Sequence, residues 1–341
     1  QNLHVNIMSH THLIFKNIDN NIKYYSDQKR IQFFIFHIGR GKQEEQKDLF
    51  VVDKVYFTDI IIDIFNISVF FNSCTFIQSS LNAISQNSEL LYFENCTFKS
   101  YMIAKDQIMN IRNMKNMSLL KCSLELVGDR GTAFSLINIT RIHISENTIV
   151  KSSGSIFCIN NCYNVKIEHM LMKGMFGSRE LDFAFVHLLN IKIITIQHSH
   201  IEKVEGTVFN IVNPRKITIL HSLFKYLQET CIKISFFGHT LLKLISIHNS
   251  AFLACRSTKE KYGGAINIII RSLRQKRVQL NLRDRNLDNA YKNWEVKQNF
   301  INLMSSKFKH CSFAKDGGAI KIIKNTDNLV GLRKVSTRMF I

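Results

Sequence analysis

Residues 217–224 read ITILHSLF. Ile217 and Ile219 are two apart, which puts both side chains on one face of an extended strand. The next inward position comes three residues on, at Ser222, and Phe224 follows two later. A step of three breaks strict alternation, so two neighbouring residues must face outward before the pattern resumes. The segment therefore reads as strand, short bend, strand.

The same skeleton returns as VFFNSCTF (69–76), LYFENCTF (91–98), MSLLKCSL (117–124), IHISENTI (142–149), VKIEHMLM (165–172), ITIQHSHI (194–201), ISIHNSAF (245–252) and SKFKHCSF (306–313). Its third position is occupied in turn by Cys74, Cys96, Cys122, Asn147, Met170, Ser199, Ser222, Ser250 and Cys311, at spacings of 22 to 29 residues and a final gap of 61. A period in that range marks a repeat architecture. One such unit cannot bury its apolar face alone, whereas stacking units about 4.8 Å apart makes continuous parallel sheets around one core.

A second signature follows the first. It is Gly131-Thr-Ala-Phe134, Gly154-Ser-Ile-Phe157, Gly206-Thr-Val-Phe209, Glu229-Thr-Cys-Ile232, Gly263-Gly264-Ala-Ile266 and Gly317-Gly318-Ala-Ile320. Glycine suits a turn with positive φ. The small residue fits beneath a corner, and the large apolar residue opens another strand. ENCTF, YGGAINI and HCSFAKDGGAI resemble the right-handed parallel β-helix repeats of the pectate-lyase-like superfamily. They are most similar in look to the GGAI repeats of polymorphic outer-membrane-protein-like surface proteins. The resemblance covers residues 69–322 and implies a place at a cell surface.

The expected fold is all-β, a right-handed single-stranded parallel β-helix of roughly 10–13 coils by this period. A leucine-rich-repeat solenoid is the alternative, since IHISENTI also fits its strand motif. The Gly-small-apolar turn and the richness in Ile and Phe favour a further strand over a helical face. Residues 1–68 read as divergent N-terminal coils or a cap, with IQFFIFHI (31–38) as a strand and GRGKQEEQKD (39–48) as a loop. Residues 69–270 read as regular coils. Residues 271–298 hold eight basic and three acidic residues and the sole Trp, and read as a basic loop insertion. Residues 299–341 read as the last coils.

The net charge of +19 admits a polyanionic partner, although lysines scattered over a solvated surface are the plainer explanation. No nucleic-acid-binding motif is recognisable, and no run of 18 uncharged apolar residues exists to span a membrane. The chain opens on Gln1 without a signal-peptide pattern and reads as part of a larger protein. Sequons at Asn66, Asn95, Asn116 and Asn138 do not decide the compartment.

None of the eight cysteines forms a C-x-x-C pair. The Cys column could suggest a metal row, but Ser, Asn and Met take the same place elsewhere, so packing is the expected role. Cys158 and Cys162 flank a turn, close enough to raise the question of a disulfide. The residue before the column is often His or Asn (Asn95, His169, His198, His221, Asn249, His310). A stack of imidazoles could bind metal or sense pH, yet Asn and His also satisfy turn backbones. Glycoside hydrolysis needs paired carboxylates, and no Asp-Asp occurs; Asn325-Thr326-Asp327 stands alone near the end, and Gly238-His239 is followed by Thr240. Calcium-dependent lyase chemistry needs clustered acids, which the repeat faces lack. The expectation is thus a scaffold or adhesion segment of a larger cell-surface or membrane-associated protein, with no catalytic residue, cofactor or metal. Its partner would be a glycan or another surface protein. The alternatives are a carbohydrate-active β-helix enzyme and a basic solenoid holding an acidic polymer.

Overall fold

The structure, a computed structural model, describes residues 14–16, 29–34, 49–58, 60–86, 89–100, 109–126, 132–177, 183–237, 244–257, 264–271, 301–313, 319–325 and 335–339. One coil shows the plan. Lys216–Leu220 lies in a first wall, Leu223–Leu227 in a second and Ile232–Phe237 in a third, and Leu244–His248 returns to the first. Strands pair in parallel with their counterparts in neighbouring coils. Ile217 sits between Ile194 and Ile245 in wall 1, Phe224 between Ile201 and Phe252 in wall 2, and Ile232 between Phe209 and Ile266 in wall 3. Among the described residues, walls 1 and 2 hold eleven strands each and wall 3 holds twelve. Val335–Met339 is antiparallel to Ile320–Asn325 at the end of wall 3.

This is an all-β parallel solenoid. The leucine-rich-repeat alternative is overturned, because the segment after each skeleton forms a third strand and the described residues contain no helix. The second signature is what builds that strand. Phe134, Phe157, Phe209, Ile232, Ile266 and Ile320 fall in one register column of wall 3, with Val186 filling the place between Phe157 and Phe209.

The step of three in the skeleton has a backbone cause. The second of the two outward residues adopts the left-handed conformation, with φ of 52° at Asn95, 49° at His169 and His198, 48° at His221 and 48° at Asn249. That conformation costs an ordinary L-residue about 1–2 kcal/mol, and Asn and His tolerate it better than most. The sheet ladder runs on through the bend: the N–H of His198 donates to the Leu220 carbonyl at 3.0 Å, and that of His221 to the His248 carbonyl at 3.1 Å.

Two boundaries differ from the sequence expectation. Regular coils begin before residue 69, since Phe50, Val52, Val55 and Phe57 carry the skeleton and are buried. Their strands pair in register with Ser68–Asn72 and Thr75–Ile77. The last copy is also displaced. Lys307–Lys309 pairs with Ala251–Leu253, so the skeleton there is Ile301, Leu303, Ser306 and Phe308. Both frames offer suitably spaced residues. Pairing selects the one that stacks Phe308 on Phe252, with centroids 4.8 Å apart and planes 2° from parallel.

The interior is one continuous apolar cluster. Its composition changes along the axis. Early coils are filled by Phe, with Phe71 on Phe93 at 5.1 Å, Phe76 on Phe98 at 4.9 Å, and edge contacts of 5.4–5.6 Å between the two columns. In the middle coils Ile and Met take over much of walls 1 and 2, including Ile144, Ile167, Met172, Ile196 and Ile219, while wall 3 keeps the buried Phe157, Phe185 and Phe209.

Candidate functional surface

The bend between walls 1 and 2 holds the column expected from the sequence. Cys74, Cys96, Cys122, Asn147, Met170, Ser199, Ser222 and Ser250 are all buried. Their shared requirement is local. In five of them, the residue's own N–H is met by the next coil's side chain. Met170 N–H donates to Ser199 Oγ (3.4 Å), Ser199 N–H to Ser222 Oγ (3.3 Å), Ser222 N–H to Ser250 Oγ (3.2 Å) and Ser250 N–H to Ser306 Oγ (3.4 Å). Cys122 N–H donates to Asn147 Oδ1 at 2.8 Å. Each hydroxyl in turn donates to the carbonyl two residues earlier, as Ser222 does to Leu220 at 2.9 Å.

Cys311 is not in this column. Ser306 takes that place, and Cys311 lies one bend later, where it stacks on Cys255. The three thiols that do share the column donate to carbonyls, Cys74 to Val52 and Asn72 at 3.3 Å and Cys96 to Glu94 at 3.3 Å. Cys74 is held well above the ordinary thiol range by its hydrogen bond to Cys96 and by burial, and Cys96 likewise by Cys122. Such thiols stay protonated and serve as packing and weak donors. Among the described residues no group of three His, Cys, Asp or Glu is arranged to hold a metal ion.

Of the turn glycines, Gly154 and Gly206 adopt positive φ, 82° and 134°. A Cβ at Gly206 would also come within 3.3 Å of the Phe183 and Phe185 rings. Gly264 precedes the buried Ala265. Gly131, Gly263, Gly317 and Gly318, the loop at 39–48 and residues 272–298 of the basic insertion lie outside the described residues. Cys158 points out from wall 3 while Cys162 is buried at the following corner, and both thiols are free. Burial and its backbone surroundings place Cys162 at about 11.

Three outward features stand out. His169, His198 and His221 stack with ring centroids 5.0 Å apart and planes within 6° of parallel. His310, expected to join them, sits in the wall 2 bend beside Cys311, opposite Ala254. On wall 1, Glu168 accepts from Lys166 at 2.7 Å, Gln197 at 2.6 Å and His143. Burial alone would push this carboxyl up, but the three donors outweigh it and hold it at about 2. A carboxylate so saturated stays ionised and has no proton to give, which suits a clamp rather than a general acid. On wall 3, a column runs from Asp63, Asn82, Asn110 and Ser135 through Cys158 and His187 to Asn210, Lys233 and Asn267, of which Asp63, Ser135 and Asn267 are buried. Within it Asn82 donates to Asp63 at 2.9 Å. Asn210 Oδ1 and both polar atoms of Asn267 are buried without a hydrogen-bond partner.

A fourth feature escaped the sequence reading. Asn66, Asn113, Asn138, Asn161, Asn190 and Asn213 all occupy left-handed positions at the bend from wall 3 to wall 1, with φ of 52° to 58°. Their amides bond from coil to coil, Asn138 to Asn113 at 3.1 Å and Asn213 to Asn190 at 3.3 Å. The available signal was an Asn three or four residues before most of the skeletons.

Comparison with known proteins finds no matching family model, no matching curated protein and no matching solved structure.

Proposed function

We propose that this chain is a non-enzymatic β-helix scaffold that presents its outer walls to a partner, as an interaction segment of a larger cell-surface or membrane-associated protein. The observation that carries the reading is the unbroken register of the outward columns. On wall 3, side chains that are polar at every position but Cys158 repeat at strand spacing from Asp63 to Asn267, with Asn82, Asn110, His187, Asn210 and Lys233 half-buried. Such a row offers many weak, similar contacts to an extended partner, where catalysis needs a few dissimilar groups converging on one atom. The one carboxylate held tightly on wall 1, Glu168, is already saturated by its neighbours. The Gly-small-apolar corners support the resemblance to pectate-lyase-like β-helices and GGAI-repeat surface proteins, and the surface location rests on that resemblance.

The test is to incubate the chain with a panel of neutral and acidic polysaccharides and follow both binding and products by chromatography. Binding without cleavage is the expected result. Release of a shortened or unsaturated product would overturn the scaffold reading in favour of a carbohydrate-active enzyme. The charge of +19 favours a second reading, a solenoid that holds an acidic polymer. Affinity for a heparin-like polymer that falls steeply with salt is its signature.

A further inference from the structure

We propose that Cys255 and Cys311 are a thiol-modification site, joined as a reversible disulfide that clasps the last two rungs of wall 2. The two residues stand 56 apart in the chain and enclose the basic insertion. Pairing brackets them on both sides: Leu253 is opposite Lys309, and Arg256 is opposite Ser312. Cys255 and Cys311 are thus direct neighbours across parallel strands. That spacing is about 4.8 Å, inside the Cα range of roughly 4.4–6.8 Å that a disulfide requires.

The two thiols shift each other's ionisation, Cys255 up and Cys311 down, as neighbouring sulfurs do. Access differs between them. Cys255 is fully buried, while Cys311 is part-exposed. The hydrogen bonds of Cys255 to carbonyls are long, 3.8 Å to Leu253 and 3.9 Å to Phe224, so no strong hydrogen bond competes for its thiol. The hydrogen bond from Cys255 favours negative charge on Cys311 and brings that thiol down to about 7. An accessible thiolate is the reactive form. The Cys74–Cys96–Cys122 column has comparable stacking but is sealed in the core.

The oxidant is a small disulfide of the glutathione class. The Cys311 thiolate attacks one of its sulfurs, forming a mixed disulfide and releasing one glutathione thiolate. Cys255, giving its proton to the released thiolate, then attacks the Cys311 sulfur and expels the second glutathione. Two protein thiols and one glutathione disulfide become one protein disulfide and two glutathione thiols. The new bond closes a long loop and restricts the unfolded chain, which stabilises the end of the solenoid.

The full chain, equilibrated with mixtures of reduced and oxidised glutathione, is alkylated and digested without reductant for peptide mapping. A Cys255–Cys311 linkage is expected to appear before any other protein disulfide, and the thermal midpoint to rise by about 5 °C on oxidation. Cys311→Ser should abolish that rise. The mapping of the wild-type chain stands independently of whether this variant folds. The proposal fails if Cys255 and Cys311 remain fully alkylatable while Cys158 becomes glutathionylated. It fails equally if the first bridge joins Cys255 to Cys231 or lies within the Cys74–Cys96–Cys122 column.

Discussion

The bend between walls 1 and 2 is built twice from different chemistry. Near residues 74–122 it carries cysteines beneath stacked phenylalanines. Near residues 199–250 it carries serines beneath isoleucines, with a histidine stack outside. The backbone course is the same, with left-handed residues at φ of 52° to 53° in the first region and 48° to 49° in the second. In the first region volume dominates, because aromatic rings fill the prism and the thiol behaves as a small apolar group. In the second, hydrogen bonding dominates, because each hydroxyl answers one buried N–H and one carbonyl. A solenoid needs the bend satisfied, and it tolerates either solution.

Substitutions break that equivalence in order of size. Phe93→Ala removes a ring that contacts Phe71, Phe76 and Phe98. The cavity should cost about 3–5 kcal/mol. Because coils contact only their neighbours, hydrogen exchange should rise around residues 50–126 and stay near wild type beyond residue 194. A uniform rise along the chain would show that the two regions unfold as one.

Ser222→Ala leaves the Ser199 N–H without its acceptor. A stranded buried donor costs about 1–3 kcal/mol. Cys96→Ala in the other region should cost less, since a weak thiol donor is lost and the Glu94 and Phe71 carbonyls keep a second lone pair. Denaturant melts of the two variants compare them directly, and equal losses would remove the distinction drawn above.

The smallest effect concerns Glu168 between the two regions. Its carboxyl is held near 2 in the folded chain, against 4.5 ordinarily. A depressed folded value means the contribution is fully present above about pH 4.5 and is lost as pH falls toward 2. Glu168→Gln should therefore flatten the fall in thermal midpoint across that window. Parallel curves for the two proteins would show the clamp contributes nothing.

The skeleton was legible because strand periodicity is local, and any eight residues such as ITILHSLF declare which side chains face inward. The Gly-small-apolar corners were legible for the same reason, and they placed Phe134, Phe157 and Phe209 in one column of wall 3. The Asn column from Asn66 to Asn213 was not, because its residues are polar and exposed and stand outside an apolar pattern. Cys311 was misplaced for a related reason. Residues 306–313 imitate the skeleton, and nothing local distinguishes that frame from 301–308.

The amino-acid sequence by itself determined the repeating unit, its inward faces and the all-β class, since these depend on side-chain direction along a short extended backbone. Only the tertiary structure decided which residues stack across coils: Ser306 under Ser250, Cys311 under Cys255, and the polar line on wall 3. Those contacts join residues 19 to 56 positions apart. Their register is set by strand pairing and by the packing of rings such as Phe252 and Phe308, which no window of the sequence contains.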